Sequence, residues 1–160
     1  MDAIRELKTR AEILHRRIEA QDPHTAIRRA DCLKQIAAEL GFPSWPAAKN
    51  AISGEGPVED FGTLLYPRLG AGFLNLWYKT YEEAASVREA KTSCEAKQSY
   101  LLAYRRQYLV VDGYYLEALG LDPADPDWDA MGFDWVRPRD VSARSRMYAK
   151  LVSALPRRVS

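Results

Sequence analysis

From Ile4 to Ile18 apolar residues recur at alternating steps of three and four, as Ile4, Leu7, Ala11, Leu14 and Ile18, with Arg5, Glu6, Lys8, Arg10, Glu12, Arg16 and Arg17 between them. A helical period places all five on one stripe, so the chain opens with an amphipathic helix whose apolar face must be covered. The seam is two heptads long. It admits two readings: packing on later helices of the same chain, or self-association into a homodimer through residues 4–18.

The next signals are also helical. Asp22 before Pro23 predicts a second helix starting there, with the carboxylate accepting an orphan amide and proline at the first position. Its apolar set is Ala26, Ala30, Leu33, Ile36, Ala37 and Leu40, and Gly41 supplies a left-handed stop. Ser44 caps a third helix from Trp45 to Ile52, with Pro46 in its first turn. Residues 1–53 thus form a three-helix module. Residues 53–62 hold three glycines and Pro57, which predicts a linker over 54–62.

Residues 63–160 read as a small α+β domain. A buried strand is expected over Phe73–Tyr78, and Thr80 with Glu83 makes a capping box for a helix to about Ala90. Tyr100 to Val111 is rich in β-formers interrupted by Arg105 and Arg106, which predicts two strands joined by a tight turn. Asp112 caps a helix over 113–119 that Gly120 ends, and a last helix runs from Val141 to Leu155 with Pro156 as its stop. The fold class is α+β: a β-α-β-β unit with C-terminal helices follows the helical module.

Composition narrows the function. Lys plus Arg number 23 against 22 Asp plus Glu, a net charge of +1, so no bulk field draws the chain to nucleic acid or an anionic membrane. Cys32 and Cys94 with His15 and His24 show no metal-ligand spacing, and no cofactor is implied. Charges from the second residue onward and the lack of a long apolar run point to the cytoplasm.

Lys34 to Ile52 admits a helix-turn-helix reading, in which a DNA-binding regulator uses the corner at 31–52 with Lys49 and Asn50 facing bases. Residues 1–53 carry 9 basic and 7 acidic residues, a small excess for a phosphate footprint. The run Ala30-Asp31-Cys32-Leu33-Lys34-Gln35-Ile36-Ala37-Ala38-Glu39-Leu40-Gly41-Phe42-Pro43-Ser44-Trp45-Pro46-Ala47-Ala48-Lys49 resembles a short helical module near the N-termini of some bacterial ankyrin-repeat and glyoxalase-superfamily proteins. The resemblance rests on the Gly-Phe-x-Ser-Trp corner and implies a bacterial source and a helical fold there. It implies no chemistry, since neither ankyrin repeats nor a glyoxalase metal pattern follows. The remainder, with its Leu119-Gly120-Leu121-Asp122-Pro123 run, resembles a bacterial family without an assigned activity.

Asp125, Asp127 and Asp129 mimic the start of a calcium loop, but Ala130 and Val136 stand where that loop needs glycine and glutamate. Asp-Pro turns and helix caps account for the same residues. Downstream, Arg137, Arg139, Arg144, Arg146, Lys150, Arg157 and Arg158 face only Asp140. This basic tail either pairs with the acidic loop or forms a binding face for an acidic or phosphate-bearing partner. No nucleophile elbow, phosphate loop or dinucleotide fingerprint is present, which leaves a small enzyme with an Asp/Tyr/Arg site as a further alternative. The leading expectation is a binding or regulatory protein that docks a protein or nucleic-acid partner through a basic, aromatic-bearing face. Arg105, Arg106, Arg137, Arg139, Arg144 and Arg146 are its candidates, in so far as they are exposed.

Overall fold

A computed structural model describes residues 2–67, 76–95 and 97–157. Among these, the order is α1 (Ala3–Gln21), α2 (Arg29–Glu39), α3 (Trp45–Ser53), β1 (Trp77–Tyr78), α4 (Tyr81–Glu95), β2 (Tyr100–Tyr104), β3 (Gln107–Val111), α5 (Gly113–Ala118), α6 (Pro126–Met131) and α7 (Val141–Ala154). The class is α+β, and no helix among the described residues is long and apolar enough to cross a membrane.

The α1 stripe is spent inside the chain. Ile4, Leu7 and Ala11 are buried, and Leu14 and Ile18 pack against the same core. That core also takes Ile36 of α2, Ile52 of α3, Leu109 of β3 and Met147 of α7, so residues on both sides of the 54–62 stretch share one interior. The intramolecular reading of the 4–18 seam is the one this packing realises.

Helix caps follow the sequence with one correction. Ser44 and Asp112 accept amides at the starts of α3 and α5 as expected, and Asp140, not marked as a cap in the sequence, does the same for α7. Asp22 does not start α2; it ends α1, its own N–H bonding Ile18 O at 2.9 Å. Its Oδ1 then takes the His24 N–H at 3.1 Å, an Asx turn that competes with helix initiation. The helix begins only at Arg29, where Asp31, three residues past Arg28, accepts the Arg28 N–H at 2.8 Å. Ala26 therefore lies outside it, and Ala30 is exposed.

The sheet order is β1-β3-β2, all antiparallel, with Trp77 opposite Leu109 and Leu102 opposite Leu109. Tyr100 and Leu102 face the main core, while Leu101 and Val110 face Ala84 of α4 on the other side. Burial on both faces explains the unbroken apolar run in β2. Of the strand expected over Phe73–Tyr78, only Trp77 and Tyr78 are β; Phe73–Asn75 lie outside the described residues, and Trp77 is 40% exposed rather than buried.

The free edge of β2 is closed at two points. Leu101 N–H bonds Phe133 O at 3.0 Å and Trp135 N–H bonds Leu101 O at 2.9 Å; Arg105 N–H bonds Gly62 O and Phe61 N–H bonds Arg105 O, both at 2.9 Å. Such closure removes a template for edge-to-edge association. The second closure depends on two glycines. Gly41 (φ 77°) and Gly62 (φ 62°) stand where the α2–α3 corner crosses the 61–63 segment, with Thr63 N–H on Leu40 O at 2.8 Å. A Cβ on Gly62 would sit 2.5 Å from Leu40 O. This close crossing carries the β2–β3 turn to the helical corner.

Candidate functional site

The six candidate arginines do not share one face. Arg144 is 5% exposed and donates to Trp135 O at 2.8 Å and Val136 O at 3.3 Å; it fastens α7 to the preceding loop and is withdrawn as a contact residue. Arg146 grips Asp127 in a bidentate pair, Nη2 lying 2.7 Å from Oδ1 and Nε 3.1 Å from each oxygen. Its neighbour Lys150 pairs with Asp125. Burial raises the Asp125 carboxyl, but the Lys150 hydrogen bond, the Asp127 N–H and the Lys150 and Arg146 charges outweigh it and hold the group below its ordinary range. Two of the tail's seven basic residues, Arg146 and Lys150, are thus paired with the acidic loop, while Arg137 pairs instead with Glu82 of α4.

The same loop residues make turns and caps, Asp122 accepting from Ala124 N–H at 2.9 Å and Asp125 from Asp127 N–H at 3.0 Å. Arg139 is exposed, with its Nε 2.9 Å from where a Gly132 Cβ would stand. Arg137 lies 3.9 Å over the Tyr81 ring and 3.5 Å from Glu82.

One Asp/Tyr/Arg trio does converge, at Tyr81, Asp134 and Arg137. The Tyr81 hydroxyl donates to Asp134 Oδ2, while Asp134 Oδ1 accepts the Val136 and Arg137 amides, each at 2.9 Å. Burial and the Asp134 hydrogen bond push the Tyr81 phenol up to about 12, which keeps it a donor at neutral pH rather than a base. With both Asp134 oxygens engaged, the trio ties α4 to the 134–137 loop.

The remaining arginines lie at the β2–β3 turn. Arg105 adopts φ 52°, a left-handed conformation that costs a non-glycine residue about 1 kcal/mol. Its two backbone bonds to Phe61 and Gly62 hold it there. The guanidinium lies 5.9 Å over the Tyr104 ring and reaches Gly41 O at 3.5 Å. Arg106, also exposed, lines a cleft of about 280 Å³ with Pro43, Asn50, Pro57, Glu59 and Asp60. Lys49 and Asn50 are both exposed on α3, and Asn50 shares this cleft. Two carboxylates in the cleft weaken any phosphate attraction there.

Beside the turn, Tyr66, Trp77 and Tyr104 form a ring cluster with centroids 6.3, 5.3 and 5.4 Å apart. Tyr66 is 43% and Trp77 40% exposed, whereas Trp128 and Trp135 are fully buried. Tyr66 and Tyr104 also border a groove of about 660 Å³ floored by Leu7, Ile36 and Leu40. Tyr115, directly behind, donates to Leu65 O at 2.7 Å and fixes the backbone next to Tyr66; burial first, then Tyr66 and Tyr104, push its phenol far up. Of this region sequence reasoning singled out Arg105 and Arg106 but none of the three rings: Trp77 was expected inside a buried strand, and the membership of Tyr66 depends on the chain crossing at Gly62. Comparison with protein-family models, with curated proteins and with solved structures gave no match for this chain.

Proposed function

We propose that the chain is a cytosolic binding protein that docks a protein partner through Tyr66, Trp77 and Tyr104, with Arg105 and Arg106 at the rim. The observation that carries this reading is the three-ring cluster, half exposed and in contact, beside a turn that holds an arginine in a strained conformation. Aromatic and arginine side chains deliver most of the energy at protein interfaces, because they desolvate large areas with few rotors to freeze. Arg105 lies against the Tyr104 ring, and its neighbour Arg106 opens on a separate cleft with Glu59 and Asp60; charges of both signs around one turn suit a protein surface better than a polyanion. Two free cysteines, buried Cys32 and exposed Cys94, support a reducing compartment.

The test joins two measurements. Anisotropy with labelled single- and double-stranded DNA at about 50 and about 200 mM salt is expected to show no steep, salt-sensitive complex. Crosslinked co-purification is expected to recover one stoichiometric partner with the intact chain and to lose it with Tyr104→Ala plus Arg105→Glu, at a temperature below the variant's own thermal midpoint. Equal recovery with both substitutions overturns the proposal. Salt-steep DNA binding abolished by Lys49→Ala and Asn50→Ala replaces it with the regulator reading.

A further inference from the structure

Helix α7 has no basic residue in its last turn, so nothing on its own surface meets the charge of its terminal carbonyls. Helix α1 supplies the cation. Arg10 donates through Nη2 to Val152 O at 3.0 Å and Leu155 O at 3.3 Å, and through Nη1 to Pro156 O at 3.3 Å. Its Nε donates to Glu6 Oε1 at 3.0 Å, and Glu6 is itself buried, so a fixed carboxylate aims the guanidinium at the tail. Otherwise the tail is lightly held: Leu155 is half-buried, and Pro156 and Arg157 are exposed.

A cavity lies on each side of this tail. The first, of about 660 Å³, meets Leu40, Tyr104 and Leu155; the second, of about 410 Å³, meets Ile13, Leu14 and Arg157. Arg10, Ile36, Glu39 and Pro156 line both, so the tail and its anchor stand at the common boundary.

We propose that Leu155–Arg157 is a strap, latched by Arg10, that divides a single α1–α2 groove into two cavities, and that its release opens the groove along its length. Pro156 forces the chain to leave the helical path at this point, because it can neither donate to nor fit a continued turn. The latch consists of hydrogen bonds to backbone carbonyls with no covalent tie, so it can open and close. The tail shares its cavities with Leu7, Leu14 and Ile36 whether or not the aromatic cluster binds a partner. Where that reading also holds, release extends the docking face beyond Tyr66 and Tyr104.

Two full-length variants test it with anilinonaphthalene sulfonate as the probe. Arg10→Met removes the three donors and keeps the apolar stem; Leu155→Asp removes the strap's apolar contact and leaves α1 unaltered. If the groove is open less than a tenth of the time in the intact chain, each variant binds the dye at one saturable site about tenfold more tightly or better. Ile13→Asp, at an exposed position inside the second cavity, is expected to reduce that binding in either background. The Leu155 amide, bonded to Val152 O at 3.2 Å, is expected to exchange faster in Arg10→Met. An unchanged near-ultraviolet dichroism spectrum certifies the fold, and where Arg10→Met loses it, Leu155→Asp decides. Dye binding equal to that of the intact chain in a folded variant overturns the strap; unchanged Leu155 exchange in folded Arg10→Met overturns the latch.

Discussion

Gly62→Ala tests the crossing that carries the β2–β3 turn to the helical corner, and its cost can be built from two parts. Alanine at φ 62° loses about 1 kcal/mol to the left-handed backbone alone. The new methyl would also stand 2.5 Å from Leu40 O and 2.9 Å from two Phe42 ring carbons. The neighbours must give by more than half an ångström, and the first of them is backbone held by Thr63; overpacking of this kind adds about 1–3 kcal/mol. The expected total is about 2–4 kcal/mol, or a fall of about 6–12 °C in thermal midpoint for a chain of this size. Gly56→Ala is the control, since Gly56 has φ 91° but nothing within 4 Å of its added Cβ. Urea denaturation of both variants beside the parent isolates the crowding as their difference. A Gly62→Ala variant within about 0.5 kcal/mol of Gly56→Ala, inside the additivity error of such comparisons, refutes the close crossing and with it the placement of Arg105.

Three further outcomes follow from the site geometry. Asp125→Ala loses the α6 cap and the Lys150 partner together and is expected to cost about 1 kcal/mol by chemical denaturation. Because the folded carboxyl is held below its ordinary value of 3.8, its contribution is complete above that value and lost as pH falls through the lower folded one; the variant's stability should therefore fall less steeply there. Tyr81→Phe should cost about 1 kcal/mol at neutral pH, the net value of one hydrogen bond to a carboxylate at a half-open site. The phenol rises from 10.0 to about 12 on folding, so its stabilisation is whole below 10 and disappears as pH climbs through about 12; an alkaline stability profile of Tyr81→Phe without a shallower decline in that window excludes the bond. Arg144→Met leaves Trp135 O and Val136 O without their guanidinium donor and is expected to lower stability by about 2–3 kcal/mol, read from denaturation midpoints.

Local signals in this sequence were reliable wherever the chain's neighbours along the backbone decide the structure. Ser44, Asp112 and Asp140 cap as their side chains demand, and Gly41 and Gly120 take the left-handed φ that stops a helix. Asp22 failed because two local motifs compete for the same carboxylate, and the Asx turn prevailed over initiation once Asp31 capped Arg28 nearby. The site was legible only in part. A tyrosine or arginine looks alike in sequence whether it fills a core or a surface: Tyr100 is buried against Trp128, while Tyr104, four residues on along the same strand face, reaches the aromatic cluster. Arg10 gave no signal, since its three carbonyl acceptors lie more than 140 positions away.

The division of the arginines into structural and free ones leads to one further expectation. Arg146 sits among Asp125, Asp127 and Asp140, and its side-chain bond to Asp127 and the charges of all three hold its proton more firmly. Arg146→Glu would set a fourth carboxylate among them, so the α6–α7 contact must loosen through like-charge repulsion as well as through the lost bidentate pair. Arg105→Glu changes the sign of another exposed group, but among the described residues no carboxylate pairs with Arg105, its side chain gives up a 3.5 Å contact to Gly41 O, and the two backbone bonds that hold the turn do not involve that side chain. Reversing Arg146 should therefore lower the thermal midpoint and leave docking affinity intact below it, whereas reversing Arg105 should weaken docking with the midpoint unmoved. The opposite pattern would assign recognition to the basic tail and leave the turn as scaffold. Measured in parallel at low and high salt, the two variants also separate direct contact from long-range attraction: a rim contact loses affinity at both ionic strengths, and a field effect fades as salt screens it.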